Sequence, residues 1–239
     1  MKIKNRKQKQ NIYTEKYGDI PVDFNERLEW MYSKFKINES KADRIIEKRD
    51  AMISQLHYID VFLTLFEVPE GAVRPKFRII GPKNYAAEAM RNPQFVHVYV
   101  PHAAEDNVYM KRMTEQDLFG LQNLIICTPC VVEYCLFCET PKAFNIEDTF
   151  LAEVGLIRPT NKPDWDNAGK KYSDMSNHNI WLDDTLVIEG TVKKFYSLLP
   201  RVEIRLRYQN MLYNRYQYNS IVNRKDYNDK CMEVDYFKM

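Results

Sequence analysis

Two hydrophobic periods divide the chain. Between Asp23 and Leu56, apolar residues recur every three or four positions: Phe24, Leu28, Met31 and Phe35, then Ala42, Ile45, Ile46, Met52, Ile53 and Leu56. That spacing is the stripe of an amphipathic helix. Asp23 and Glu26 form a capping-box pattern, and Asn38-Glu39-Ser40 opens a second helix. A helical hairpin with packed stripes is expected here. From Tyr58 the period shortens to two and the composition turns β-branched and aromatic. Tyr58–Phe66, Phe77–Ile80, Phe95–Val100 and Val131–Phe137 read as strands. Thr114–Ile126 reads as a helix with Leu118, Leu121, Leu124 and Ile125 on its apolar side. Pro141–Gly155 is an acidic connector with room for a short helix. Asn167–Asn177 spans about three turns at ~3.6 residues per turn. Leu186–Phe195 and Arg201–Tyr208 close the pattern as strands. In the last, Val202, Ile204, Leu206 and Tyr208 face the core, while Arg201, Glu203, Arg205 and Arg207 face away.

These elements predict an α+β fold, a mixed β-sheet with flanking helices, preceded by the helical hairpin. We divide the chain into a basic arm and hairpin (1–55), a main domain (56–209) and a C-terminal extension (210–239). The extension is rich in Asn and Tyr, shows little periodicity and receives no role. With 45% hydrophobic and 13% aromatic residues among 239, there is ample material for a core. No apolar run approaches the ~18–20 residues that cross a membrane, and the basic start lacks the apolar region of a signal peptide. A cytoplasmic protein is expected.

Charge alone identifies no partner. The net charge is +2 and the pI near 8.1, so attraction to nucleic acid has to come from local patches. Residues 158–207 carry nine Lys or Arg, which by composition is an ordinary mixed surface.

Cys127-Thr-Pro-Cys130 and Cys135-Leu-Phe-Cys138 invite a zinc reading. Only four residues separate the pairs, whereas zinc ribbons leave roughly 15–20 for two knuckles to fold back. The intervening residues also have to pair in a sheet. Free, buried cysteines in a reducing compartment are the expectation.

The chemistry concentrates in Lys162-Pro-Asp-Trp-Asp-Asn167 and Trp181-Leu-Asp-Asp184. Asp164 and Asp166 lie at i and i+2 on the approach to a helix, and in extended chain such side chains share one side. Asp166-Asn167 is the expected N-cap. A helix and a returning segment can bring Asp183 and Asp184 back beside them. Converging carboxylates repel unless a cation sits among them, and hard Mg²⁺ or Mn²⁺ prefers such oxygen ligands. Asp164, Asp166, Asp183 and Asp184 are therefore the expected metal set, with Asp183 a ligand or an orienting group. Each motif alone also serves as a plain cap or turn; the two in order are more specific.

Lys162-Pro-Asp-Trp-Asp-Asn, Lys170, Asp174, Trp181-Leu-Asp-Asp, Val187 and Lys193 resemble the signature of the RusA family of Holliday-junction resolvases, endodeoxyribonucleases of phages and prophages. The likeness is best over Pro159–Tyr208 and weaker over Val68–Arg78, where Pro69-Glu-Gly-Ala-Val-Arg-Pro-Lys is similar to the family's first-strand motif. The resemblance implies catalysis by Asp164, Asp166, Lys170 and Asp184, a Mg²⁺ cofactor with Mn²⁺ as substitute, and a four-way DNA junction as substrate. It also implies a homodimer, since a two-fold substrate suits a two-fold protein, in the bacterial cytoplasm. Arg74, Lys76, Lys162, Lys171, Lys193 and Lys194 are the cations expected to meet DNA. Asp166, Lys170 and Asp174 are spaced i, i+4 and i+8, so Lys170 lies one turn from each and all three share a helical face. Gly169 departs from the family's apolar helix formers at a cost of about 1 kcal/mol relative to Ala. Two alternatives stand beside the nuclease: a non-catalytic branched-DNA-binding or assembly protein with the same fold, and a zinc-centred interaction module.

Overall fold

The computed structural model describes residues 12–72, 76–79, 96–99, 106, 110 and 125–238. They fall into two units, residues 1–55 and 56–238.

In the first unit, α1 (Ile12–Tyr17), α2 (Phe24–Lys34) and α3 (Glu39–Gln55) follow one another. The Asp23 carboxylate caps α2, accepting from the Asn25 and Glu26 amides at 2.9 and 3.0 Å. Asn38 caps α3 through the Lys41 amide. Helix α2 ends with Lys36 at φ 50°; the Lys36 amide reaches Ser33 and the Ile37 amide reaches Tyr32, which satisfies the last carbonyls. Tyr17, Trp30 and Phe35 cluster edge to face with ring centroids 5.3–6.1 Å apart. The helices are as expected, but their stripes are not packed: neither α2 nor α3 buries a residue, and Ile45, Ile46 and Ile53 are exposed. The aromatic cluster joins α1 to α2 and its C-cap, and among the described residues α3 adds no ring to it.

The second unit is built on a four-stranded sheet in the order β1-β6-β4-β5, comprising β1 (Tyr58–Leu65), β4 (Cys130–Glu139), β5 (Val187–Ser197) and β6 (Arg201–Gln209). Strands β2 (Lys76–Ile79) and β3 (Val96–Tyr99) pair separately, antiparallel. β6 runs antiparallel to both β1 and β4, whereas β4 and β5 are parallel. Parallel neighbours need a crossover. It contains α4 (Ile146–Glu153) and α5 (Trp165–Ser176). Gly155, at φ 81°, ends α4 in the left-handed conformation that a side chain would strain.

One sheet face forms the core. Val61, Leu63 and Leu65, Val202, Ile204 and Leu206, and Val132, Tyr134 and Leu136 are buried there with Ala168, Tyr172 and Met175 of α5. The period-two reading of β6 holds: its alternate residues Arg205 and Arg207 are exposed. On that outer face Glu133 pairs with both Lys193 and Arg205. Gly169 has a packing reason, since a Cβ there would come within 2.8 Å of Val192 Cγ2 on β5. The missing side chain lets α5 lie against the sheet.

Two expectations change. Ile125 and Ile126 are not the end of a helix; they form parallel bridges to Cys231 and Trp181. Leu118, Leu121 and Leu124 lie outside the described residues. The C-terminal extension is also well integrated. It contains α6 (Arg215–Val222) and buries Leu212, Ile221, Cys231, Val234 and Phe237. The cysteines are free and buried, as expected. Burial pushes the Cys130 thiol up to about 12 and the Cys135 thiol to about 11, which favours the neutral form of both.

Candidate active site

Helix α5 carries the site. It begins two residues earlier than the cap pattern suggested, because Asp164, not Asp166, is extended at the N-cap (φ −65°, ψ 141°). The extended i, i+2 argument therefore stops at Asp164, and Asp166 belongs to the first helical turn. Asp164 occupies a capping position without capping: its carboxylate accepts no hydrogen bond from the helix amides. Most Asp residues at this place spend their side chain on the N2 or N3 amide. Here the acidic group is left facing outward.

Down the helix, Asp166, Lys170 and Asp174 repeat at four residues and are all exposed, while Ala168, Lys171, Tyr172, Met175 and Ser176 face the core. Asp184 joins this face from the segment after Leu182. Partial burial holds the Asp174 carboxyl above its ordinary range; Lys170 opposes that shift and the Asp184 carboxylate adds to it. Asp174 and Asp184 are thus like charges held within electrostatic reach, with Lys170 beside them.

Asp183 points elsewhere. It caps the short 3-10 turn Asp184–Leu186, accepting from the Thr185 amide at 2.9 Å, and its other oxygen meets Arg224 Nη2 at 2.9 Å. Hydrogen bonds from the Thr185 side chain and amide, then Arg224, hold its carboxyl down at about 2.

The loop before β2 is tied to the head of α5. The Ala72 amide donates to the Asn167 carbonyl at 2.9 Å, and Gly71 lies so near Asn167 Cβ that a Cβ of its own would stand 3.3 Å away. Pro69–Ala72, Lys162–Asp164 and Asn167 line a cavity of about 490 Å³. Lys162 thus stands exposed beside Asp164. Lys171 does not belong with it: the side chain is buried, with its ammonium 3.1 Å from Glu70 and 3.8 Å from Asp106. Its charge is matched by these two carboxylates and its side chain is only 10% exposed, unlike the neighbouring Lys162 and Lys170. Next to it the Tyr172 hydroxyl donates to Glu67 at 2.8 Å. Burial raises the Glu67 carboxyl, that hydrogen bond and Lys171 lower it, and Asp106 and Glu70 raise it further.

Of the remaining cations, Lys193 is engaged by Glu133 and Lys194 donates to the Asn161 carbonyl. Arg74 and the Lys76 side chain lie outside the described residues. Glu67, Glu70, Asp106 and Arg224 were not singled out from sequence. Their partners lie from 41 to more than 100 residues away, and no local spacing announces such pairs. Asp174 was visible as the third member of the helical face, but its approach to Asp184 was not.

The donor set suits a hard divalent cation, since Asp164, Asp166 and Asp184 offer only carboxylate oxygens. Among the described residues, no three His, Cys, Asp or Glu side chains stand where one ion would be held by all of them. Fold and site together define a class: an α+β domain that presents several carboxylates and a lysine to solvent from one helix and the turn beside it. The sequence profile of the family described as Endodeoxyribonuclease RusA matches residues 69–207, more than half of the chain, and the chain belongs to that family. A stretch of 56 residues is 54% identical to "Uncharacterized protein YqaN" of Bacillus subtilis (strain 168). That match covers 23% of this chain and 39% of the relative's length. Among the described residues, no helix is long and apolar enough to cross a membrane.

Proposed function

We propose that this protein is a metal-dependent endodeoxyribonuclease that cuts branched DNA, with a four-way junction as substrate. The observation that carries the reading is the exposed face of α5, where Asp164 is withheld from capping and Asp166, Lys170 and Asp174 line up towards Asp184. A plain helix start has no use for an uncapping Asp, and a plain surface gains nothing from two like charges held together. The family match over this region supports the same reading.

Asp164, Asp166 and Asp184, all exposed, would hold Mg²⁺, or Mn²⁺ in its place. When bound, such an ion would supply a Lewis acid for the scissile phosphate and would lower the pKa of an attacking water. Lys170 sets a fixed positive charge beside that position, where it stabilises the charge that builds on phosphorus oxygens in the transition state. Asp174 keeps Lys170 on this face and adds a carboxylate at its far end. Lys162 meets the DNA backbone, together with Arg74, Lys76, Lys193 and Lys194, the last two by giving up their present partners. Paired cuts in a two-fold junction call for two copies of the site, hence a homodimer.

The test is incubation with a synthetic four-way junction, with and without Mg²⁺, followed by denaturing electrophoresis. Paired nicks in Mg²⁺, none in EDTA and none from Asp166→Asn support the reading. Equal binding in EDTA with no cutting in Mg²⁺ or Mn²⁺ would leave a non-catalytic junction-binding protein. Asp166→Asn cutting at the wild-type rate would reduce the carboxylates to surface charges.

A further inference from the structure

The C-terminal extension reaches the acidic turn. Arg224 follows α6, whose Ile221 is buried in the core, and the Arg224 amide bonds back to the Ile221 carbonyl at 3.0 Å. Its guanidinium makes a fork. Nε and Nη2 grip both oxygens of Asp226 at 3.0 and 2.8 Å, and Nη2 also reaches Asp183 at 2.9 Å. Both ends of the Asp183 contact are about two-thirds buried, with side-chain exposures of 26% and 31%. A bidentate grip on one carboxylate fixes the plane of the guanidinium, so the third bond is aimed and does not sample many directions. Neither Arg224 nor Asp226 lies within residues 69–207, the span of the family match.

Asp183 is extended (φ −166°, ψ 146°) and its two oxygens are taken by the Thr185 amide and Arg224, while Asp184 opens the 3-10 turn and stays exposed. One carboxylate of the pair turns to Arg224 and the other is left for the α5 face. We infer that Arg224 is a positioning residue for the nuclease site: by holding Asp183 it sets the turn that presents Asp184, and it keeps Asp183 from competing for the same cation. This inference rests on the nuclease reading above. It assigns Asp183 an orienting role in place of a ligand's, and gives the C-terminal extension a task.

The test uses the full chain with Mn²⁺ as probe. Mn²⁺ binding is measured by calorimetry without DNA, and junction cleavage is followed against Mn²⁺ concentration. Arg224→Ala should raise the Mn²⁺ needed for half-saturation about tenfold or more, the range seen when groups behind metal ligands are removed. Junction affinity in EDTA should change less than about twofold, and Arg224→Lys, which keeps the charge without the fork, should recover only part of the loss. Asp183→Asn keeps the shape and weakens the same bond; it should reproduce the shift, and it decides the matter if Arg224→Ala does not fold. Unchanged or tighter Mn²⁺ binding in folded variants, with only a lower melting temperature, overturns the inference. Wild-type protein that binds Mn²⁺ but cuts nothing overturns the nuclease reading instead, and the calorimetric comparison still decides what Arg224 does for the ion.

Discussion

Gly169→Ala tests whether the site helix is seated as closely as the structure shows. In an isolated helix this change stabilises by about 1 kcal/mol, because Gly gives up more backbone freedom than Ala. Here the new Cβ would stand 2.8 Å from Val192 Cγ2, against about 3.5–4.0 Å for two carbons in comfortable contact. Helix or strand has to yield by up to about 1 Å, and overfilling a packed interior typically costs ~1–3 kcal/mol. The two terms oppose each other, and the larger should win, giving a net loss of about 1 kcal/mol. For a chain of this size that lowers the melting temperature by roughly 2–4 °C. A double-mutant cycle isolates the contact. With Val192→Ala already present the obstacle is gone, so Gly169→Ala should then stabilise by about 1 kcal/mol, reversing its sign. Scanning calorimetry on the four proteins provides the numbers. Stabilisation by about 1 kcal/mol in both backgrounds would refute the close approach. Since Asp166 and Lys170 flank Gly169, junction cleavage should fall in the single variant and recover in the double.

Three further outcomes follow from the site. Lys170→Ala should slow cutting about 100-fold or more while junction affinity stays within about twofold, as expected for a group acting on developing charge; a parallel loss of binding would mark an ordinary phosphate contact. Lys171→Met should change stability by less than about 1 kcal/mol, because water can take over the exposed Glu70 carboxylate, and should leave the salt dependence of junction binding unchanged, whereas removing a true phosphate contact lowers that slope by about one. Because burial raises the Glu67 carboxyl in the folded chain, the native state keeps its proton longer than the unfolded one, and stability should fall as pH rises from about 4.5 through the raised value. Glu67→Gln should flatten that part of the profile in denaturant titrations from pH 4 to 7, and an unchanged slope would count against the buried-carboxylate account.

Much of the second unit was legible because its signals are local. Strands β1, β4, β5 and β6 begin and end within two residues of where their β-branched and aromatic composition places them, and the alternation is clearest in β6, which has one buried and one wetter face. The site motifs were legible for the same reason, with Asp166, Lys170 and Asp174 fixed on one side by helical geometry alone. The failures are of two kinds. Asp164 and Asp166 are both good cap residues, and sequence preference could not choose between them; the loop held to Asn167 by Ala72 and Gly71 packs on the turn that starts at Trp165. Lys171 looks like Lys170 in sequence, but one residue further on is about 100° around a helix, which is the difference between solvent and core. Its acidic partners come from more than 60 residues upstream. Arg224 and Asp183 met in the same long-range way, and the helical stripe of α3 predicted a partner that its own unit does not supply.

The bridges from Cys231 to Ile125 and from Ile126 to Trp181 also set an order in time. A chain leaves the ribosome from its N-terminus, and most domains fold as units once their sequence is out. Among the described residues of the first unit, the ring contacts and helix caps join residues close in sequence. The segment under Trp181-Leu-Asp-Asp184 is different, because its neighbour Ile125 takes an amide bond from Met232 and gives one to Lys230. The strip against which the acidic turn lies is therefore completed by residues made some fifty positions later. A nascent chain carries its carboxylates and its lysine well before that strip is complete, and on the nuclease reading proposed above the site would be assembled late in synthesis.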